Sequence, residues 1–241
     1  MPIQHIQLGD IDSTNAEALR RAGEGETGPL WVTAERQLAG RGRDGRTWIS
    51  EKGNLYSSLL LPTGDLKNLP ELSFVTALAV CEAVAAHLPS AAADKLSLKW
   101  PNDVLLDGQK LAGILLEKQG ADALVIGCGV NVAHAPQTAT ALGATCLNDH
   151  ARDVSINDLF ISYSEAFERW FEIWRGHGFV PVRQAWLAHA HGVGCEITAR
   201  LPNEEVHGTF ETIDDDGALI LTQPGGVSTR IFAGDIFFAH D

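Results

Sequence analysis

Three arginines alternate with glycines in Gly40-Arg41-Gly42-Arg43-Asp44-Gly45-Arg46-Thr47-Trp48, in a chain that sets only 18 lysines and arginines against 31 aspartates and glutamates. Glycines let backbone N–H groups come close to an anion, and arginines add fixed charge and forked donors. The acidic remainder repels an extended polyphosphate, so the segment points to one small anionic ligand, such as a nucleotide phosphate, rather than to an RGG-type nucleic-acid surface. A second group is Lys99-Trp100-Pro101-Asn102-Asp103, followed by Lys110-Leu111-Ala112-Gly113-Ile114-Leu115. Two lysines on neighbouring strand ends can converge on one phosphate. Asp103 is placed to hold Mg²⁺, which takes one or two carboxylates plus phosphate oxygens. Gly127-Cys128-Gly129-Val130-Asn131 completes the set. Glycines inside a strand mark a bulge or the close approach of a ligand. Cys128, with no histidine or helix N-terminus evident beside it, reads as a packed thiol rather than a nucleophile.

Taken together, Asp12-Ser13-Thr14-Asn15, Q-x-A-GRGR-x-GR-x-W at 37–48, KWPND at 99–103, KLAGILLE at 110–117 and GCGVN at 127–131 resemble the biotin protein ligase family, also called biotin–[acetyl-CoA-carboxylase] ligase. The motifs stand in the family's order, and the resemblance covers essentially the whole chain. It implies an α+β fold. Residues 1–191 would form a catalytic domain on a mixed sheet with flanking helices, of the class II aminoacyl-tRNA synthetase-like kind. Residues 192–241 would form a small SH3-like β-barrel. The implied reaction has two steps. The biotin carboxylate attacks the α-phosphorus of ATP, giving biotinyl-5′-AMP and pyrophosphate. A lysine amine of a biotin carboxyl carrier protein or domain then attacks the mixed anhydride, giving an amide and AMP.

An anion attacking an anion needs concentrated positive charge and alignment more than an acid–base pair. The resemblance assigns that charge to Arg41, Arg43, Lys99 and Lys110, with Mg²⁺ at Asp103. Ser13, Thr14, Asn15 and Gln37 would bind the biotin ureido head, which asks for both donors and acceptors. Arg41, Gly42 and Arg43 would close over the biotin carboxylate and the phosphates, Lys110 would touch the acyl-phosphate oxygens, and Gly113 would add a biotin contact. Arg43, Trp48, Asn102 and Asn131 would face the adenylate, Trp48 and Trp100 would wall the pocket, and segment 133–147 would order over the adenine. Biotin and ATP are then substrates and the carrier is the protein partner. A homodimer is compatible with the resemblance, whereas nucleic acid and membrane are not expected. On that resemblance the chain is expected to begin directly at the catalytic domain, without the helix-turn-helix domain of some members. Asp44 stands where basic residues are common, and Leu38 where a second polar residue occurs. A lipoate or octanoate ligase is the nearest alternative; it needs a long apolar slot, and the motifs match the biotin branch better.

These motifs need elements to hold them. Residues 3–8 read as a strand and 14–22 as a helix, with Thr14 and Glu17 as a capping box and Gly23 at its C-cap. LWVTAE (30–35) is a strand, 39–46 a loop, and NLYSSLLL (54–61) a strand that Pro62 ends. An alanine-rich helix over 71–88 stops at Pro89. KLSLKW, DVLLD, KLAGILLE and ALVIGCGVNV are four strands, with Asp107-Gly108 as a hairpin turn between the second and third. Aromatic residues at helical spacing over 156–174 mark a core-facing helix, and a further helix covers about 180–190. GCEITARL, VHGTFETI, ALILTQ and TRIFAGDIFF then read as short strands of an appended barrel.

The formal net charge of −13 argues against polyanionic partners. No window approaches the roughly 18 unbroken apolar residues of a membrane-spanning helix, and MPIQHIQLGD lacks the regions of a signal peptide. Cys81, Cys128, Cys146 and Cys195 lie far apart and read as free thiols in a reducing cytoplasm. The nine histidines are scattered, so a zinc site is not expected.

Overall fold

The computed structural model describes residues 3–120, 122–136 and 142–238. Its larger part runs β1 (Gln4–Ile11), α1 (Thr14–Gly23), β2 (Leu30–Gln37), β3 (Leu55–Pro62), α2 (Leu72–Ala86), α3 (Ser90–Ala93), β4 (Leu96–Lys99), β5 (Asp103–Leu106), β6 (Gln109–Gln119), β7 (Ala123–Val130), α4 (Ile156–His177) and α5 (Phe179–Ala188). The strands form one seven-stranded sheet in the order β1-β2-β3-β7-β6-β5-β4. β1 is parallel to β2 and the other pairs are antiparallel, so the sheet is mixed.

Alternation along the central strands assigns each face a different task. Trp31, Leu59 and Ile126 face the larger core, with α2 and the aromatic stripe of α4. On the opposite face Leu30, Val32, Leu60 and Val125 pack against Ala18 of α1. Further along that second face the register brings Ser58 opposite Gly127, Tyr56 opposite Gly129, and Gly129 opposite Gly113. The apolar surface under α1 thus gives way to glycine and hydroxyl groups, and a cleft opens there.

The smaller part comprises β8 (Glu196–Arg200), β9 (Glu205–Ile213), β10 (Leu219–Thr222), β11 (Ser228–Ile231) and β12 (Asp235–Phe238), an antiparallel sheet ordered β11-β10-β9-β8-β12. Its arrangement is SH3-like, around Ile197, Phe210, Leu219 and Ile236. It is fastened to the larger part through backbone oxygens. The Trp100 indole N–H donates to the Gly217 carbonyl at 3.1 Å, and Arg183 Nε donates to that of Ile213 at 2.6 Å. Gly217, at φ 80°, packs where an added Cβ would stand 2.9 Å from the Phe74 ring.

Several sequence expectations change. The capping box on α1 does not form. Ser13 is the N-cap residue and makes no side-chain cap bond; the Thr14 hydroxyl goes to Gln37, and Glu17 pairs with Arg20 and Arg21. TRIFAGDIFF is two strands, because Gly234 at φ 150° turns the chain between them. The short helix α3 follows Pro89 directly. Leu69–Ala86 is, by length and composition, apolar enough to cross a membrane, but 67% of it is buried inside the protein, as befits a core helix touching α4 and α5.

Candidate active site

The glycine–arginine segment is better ordered than a loop. Arg41 bridges Thr47, Trp48 N–H donates to Gly40 O, and Gly42 N–H donates to Arg46 O, so residues 40–48 form a small hairpin. At its tip Asp44 has φ 54° and Gly45 φ 72°. Aspartate visits the left-handed region more readily than most residues, which gives the uncommon Asp44 a local reason. Gly40 is required for close approach, since a Cβ there would lie 2.4 Å from Trp48 O and 2.5 Å from Ser50 Oγ.

This hairpin roofs a cleft of about 1120 Å³, open to solvent, whose floor is the glycine-lined face of β6 and β7 and whose side is the N-terminus of α1. Ser13, Thr14, Asn15, Gln37, Arg41, Gly42, Arg43, Trp48, Asn102, Asp103, Lys110, Gly113 and Asn131 all line it. Lys99 does not. Its ammonium sits 5.9 Å from the centroids of both Phe237 and Phe238 in the smaller sheet, so Lys99 and Lys110 do not converge. Trp100 is 2% exposed and belongs to the core and the junction with the smaller sheet rather than to the cleft wall.

The strand glycines have a different reason from the one expected. A Cβ at Gly127 would stand 2.2 Å from Asn15 Oδ1, and one at Gly129 2.5 Å from Trp48 Nε1. What approaches these glycines is the protein's own side chains. Cys128, between them, points to the aromatic core; burial pushes its thiol up to about 12 against the opposing hydrogen bond of Tyr163. It is a packed group, not a nucleophile.

One end of the cleft is a network of neutral polar groups. Gln37 Oε1 accepts from both the backbone N–H and the hydroxyl of Thr14, at 2.8 and 3.1 Å, and its Nε2 donates to Ser50 Oγ. Ser58 Oγ lies 2.8 Å from Thr14 Oγ1 and 2.5 Å from Asn15 Oδ1. The other end is charged. Lys110 Nζ lies 2.7 Å from Asp103 Oδ1 and 5.4 Å from the Trp48 ring centroid. Arg43 donates to Asn102 Oδ1 and to Gly234 O, each at 3.1 Å, and Arg46 pairs with Asp235. Burial pushes the Asp235 carboxyl up, but the hydrogen bond and charge of Arg46, helped by Arg43 and Lys99, outweigh it and hold the group below the usual carboxylate range.

Asp103 Oδ1 is buried with no aligned hydrogen bond, only the ion contact to Lys110. A magnesium ion at that oxygen would take the place of the Lys110 ammonium there, with its remaining ligands from phosphate and water. Among the described residues no group of three or more His, Cys, Asp or Glu side chains could hold a metal by itself.

Sequence reasoning left Ser58, Glu117 and Asp235 without roles. The period-two pattern of β6 would have placed Glu117 on the face of Gly113; nothing local signals Asp235. The segment expected to order over the adenine is anchored at both ends. Asn54 Oδ1 accepts the backbone N–H groups of Val132, Ala133 and His134, and Asn131 Nδ2 donates to Thr145 O. Its middle, 137–141, lies outside the described residues.

Comparison with known proteins gives a consistent result. The model of the biotin/lipoate A/B protein ligase family matches residues 10–131, and that of the biotin protein ligase C terminal domain matches 193–239. The chain is 44% identical to biotin–[acetyl-CoA-carboxylase] ligase of Paracoccus denitrificans, over 96% of this chain and 99% of that protein. It is 32% identical to the bifunctional ligase/repressor BirA of Bacillus subtilis, over 97% of this chain and 74% of the relative. Among solved structures, the biotin protein ligase of Aquifex aeolicus in complex with biotin and ATP superposes with a TM-score of 0.84 at 26% identity, covering 97% of each chain. That of Leishmania major in complex with biotinyl-5-AMP gives 0.72 at 29%, covering 97% of this chain and 100% of the other.

Proposed function

Since this chain belongs to the biotin/lipoate A/B protein ligase family and is an ATP-dependent biotin protein ligase, we propose that this cleft holds biotin at the neutral polar end and the phosphates of ATP at the cationic end. The observation that carries this reading is the meeting of those two ends under one hairpin. Ser13, Thr14, Asn15 and Gln37 take the ureido head. The biotin carboxylate then lies towards Arg41 and Arg43, with Gly42 and Gly113 leaving room along the way. Trp48, Asn102 and Asn131 receive the adenylate.

Joining a carboxylate to the α-phosphorus brings two anions together, and the donors needed are already in place and held by partners. Lys110 is oriented by Asp103, Arg43 by Asn102 and the Gly234 carbonyl, and Arg46 by Asp235. Preorganised charge of this kind lowers the barrier because it needs no reorganisation when charge develops. Asp103 would hold magnesium in exchange for its contact with Lys110, and the ion would supply further neutralisation of phosphate charge. Lys99 lies beyond the cleft and its ammonium contributes to the field at Asp235 rather than to substrate contact. No enzyme nucleophile is required, since the adenylate carries the activation, and the buried Cys128 thiol agrees with that. The second substrate is a biotin carrier domain, such as that of acetyl-CoA carboxylase, whose lysine amine attacks the adenylate; the reaction belongs in the cytoplasm.

Purified protein, biotin, MgATP and a biotin carrier domain, followed by mass spectrometry of the carrier, test the reading. One biotinyl group on the carrier lysine is expected. An unmodified carrier, or one that takes octanoate or lipoate in place of biotin, would overturn it.

A further inference from the structure

Behind the polar end of the cleft stands a carboxylate that no step above uses. Glu117 lies on β6 on the same face as Gly113 and Leu115. Its Oε2 accepts from Asn15 Nδ2 at 2.8 Å, and Arg41 Nη2 lies 3.1 Å from each of its oxygens. An ion-paired carboxylate accepts hydrogen bonds and donates none. Asn15 therefore turns its amide nitrogen to Glu117 and its oxygen to Ser58. Ser58 is wholly buried and has a single hydrogen. The Asn15 oxygen can only accept and lies 2.5 Å away, so that hydrogen goes to it. On the other side, the Thr14 backbone N–H fixes Gln37 with its oxygen towards α1 and its nitrogen towards Ser50. The Thr14 hydrogen then points into the protein, to Gln37 Oε1 or to Ser58 Oγ, and a lone pair of Thr14 Oγ1 is left for the cleft that Thr14 lines.

We propose that Glu117 is a positioning residue: by turning the Asn15 oxygen towards Ser58 it makes Ser58 a second inward acceptor beside Gln37, so that Thr14 meets its ligand as a hydrogen-bond acceptor and selects an N–H edge. The inference rests on the reading of this end as the biotin ureido site; the edge selected is then a ureido N–H. A ring oxygen in its place would set lone pair against lone pair at a buried group, and sites built on such pairing reject the mismatched analogue far more strongly than a missing methylene. Arg41 closes the outer end of the chain, so the residue assigned to the biotin carboxylate also sustains the one that orients the ureido contact.

Glu117→Gln keeps the size of the side chain but offers Asn15 a donor as well as an acceptor, so the chain can run either way. Calorimetric affinities are measured for biotin and for the two cyclic carbamates in which one or the other ureido N–H is replaced by ring oxygen. Wild type should prefer biotin over at least one carbamate by about 100-fold or more. That ratio should fall by about tenfold in Glu117→Gln, roughly 1.4 kcal/mol of discrimination. Should Glu117→Gln fail to melt as a folded protein, Ser58→Ala, which cuts the chain at its middle, must narrow the same ratio. A folded variant that keeps the wild-type ratio overturns the inference, as does a wild type that binds biotin without discriminating. A wild type that binds no biotin overturns the ligand assignment itself, and the inference with it.

Discussion

At the scale of single residues, the cleft holds its charges in pairs, and each pair separates binding from chemistry. Lys110 faces Asp103 at 2.7 Å and lies over Trp48, at the charged end of the cleft. Lys110→Ala should slow biotin-dependent pyrophosphate release by roughly 10²–10³-fold, the usual loss for one preorganised donor, and change biotin affinity little. Single-turnover measurement at saturating biotin and ATP checks this, and a wild-type rate would remove Lys110 from the chemical step. Ser13→Ala belongs to the other end and should act on binding, weakening biotin by about 1–3 kcal/mol through an unpaired polar group. Titration calorimetry reads that loss directly. Gly129→Ala tests the packing of Trp48. The new methyl would stand 2.5 Å from the indole nitrogen, so the ring must move or the strand must shift. An overpacking cost of about 1–3 kcal/mol is expected in chemical denaturation, accompanied by a change in tryptophan fluorescence.

Among the elements, the 40–48 hairpin decides how the arginines are presented. Three glycines in 39–46 and three mutually repelling arginines make the segment intrinsically loose. Its main restraints come from elsewhere: Asn102 after β4, and Gly234 and Asp235 at the start of β12. Asp235→Asn removes the charge that pairs with Arg46. We expect trypsin to cut the hairpin at Arg41, Arg43 or Arg46 faster in that variant than in wild type, and biotin with ATP to slow the cut in both, as a ligand-ordered segment should. Equal cleavage with and without ligands would mean that the hairpin is already fully ordered alone. The same variant should raise the ATP KM, since the loosened hairpin must be ordered at the expense of binding energy.

For the whole molecule, stability depends on groups far from the cleft. Glu71, just before α2, is 4% exposed, and its carboxylate accepts the Trp174 indole N–H of α4 at 2.5 Å. Burial pushes its pKa up, against the hydrogen bonds of Trp174 and Asn68 and with slight help from Asp216. A raised folded value means that this group's contribution is fully present below the unfolded value and is lost as pH rises through the folded one. Glu71→Gln keeps an acceptor for Trp174 and carries no charge, so it should stabilise the protein more at pH 7 than at pH 4; urea denaturation at both values gives the comparison. The smaller sheet is joined through Trp100, and Trp100→Phe, which leaves the Gly217 carbonyl without its donor, should cost about 1–3 kcal/mol.

The amino-acid sequence by itself determined much of this protein. The alternation in β3 and β7, the aromatic spacing of α4, the Asp107-Gly108 turn and the ordered motifs are local patterns, and local backbone geometry is enough to read them. Most of the cleft's lining was legible only through the resemblance of the motifs to a known family; the fold supplies the reason they gather, since they lie at strand ends and at the start of α1, where side chains converge once the strands pair. Tertiary structure alone decided which partner each side chain met. Thr14 and Glu17 have the spacing of a capping box, but Gln37, brought close by the pairing of β1 with β2, takes the Thr14 hydroxyl. Lys99 and Lys110 look equivalent in sequence. Yet Lys99 turns to Phe237 and Phe238, residues of a sheet folded from the far end of the chain, while Lys110 turns to Asp103. A missing Cβ at Gly127 and Gly129 is visible in the sequence, whereas its filling by Asn15 and Trp48 is not. The physical reason is common to all of these. A periodic pattern reports which face a residue occupies, but a hydrogen bond or an ion pair is set within a few ångströms by neighbours distant in sequence, and only the packed chain brings them there.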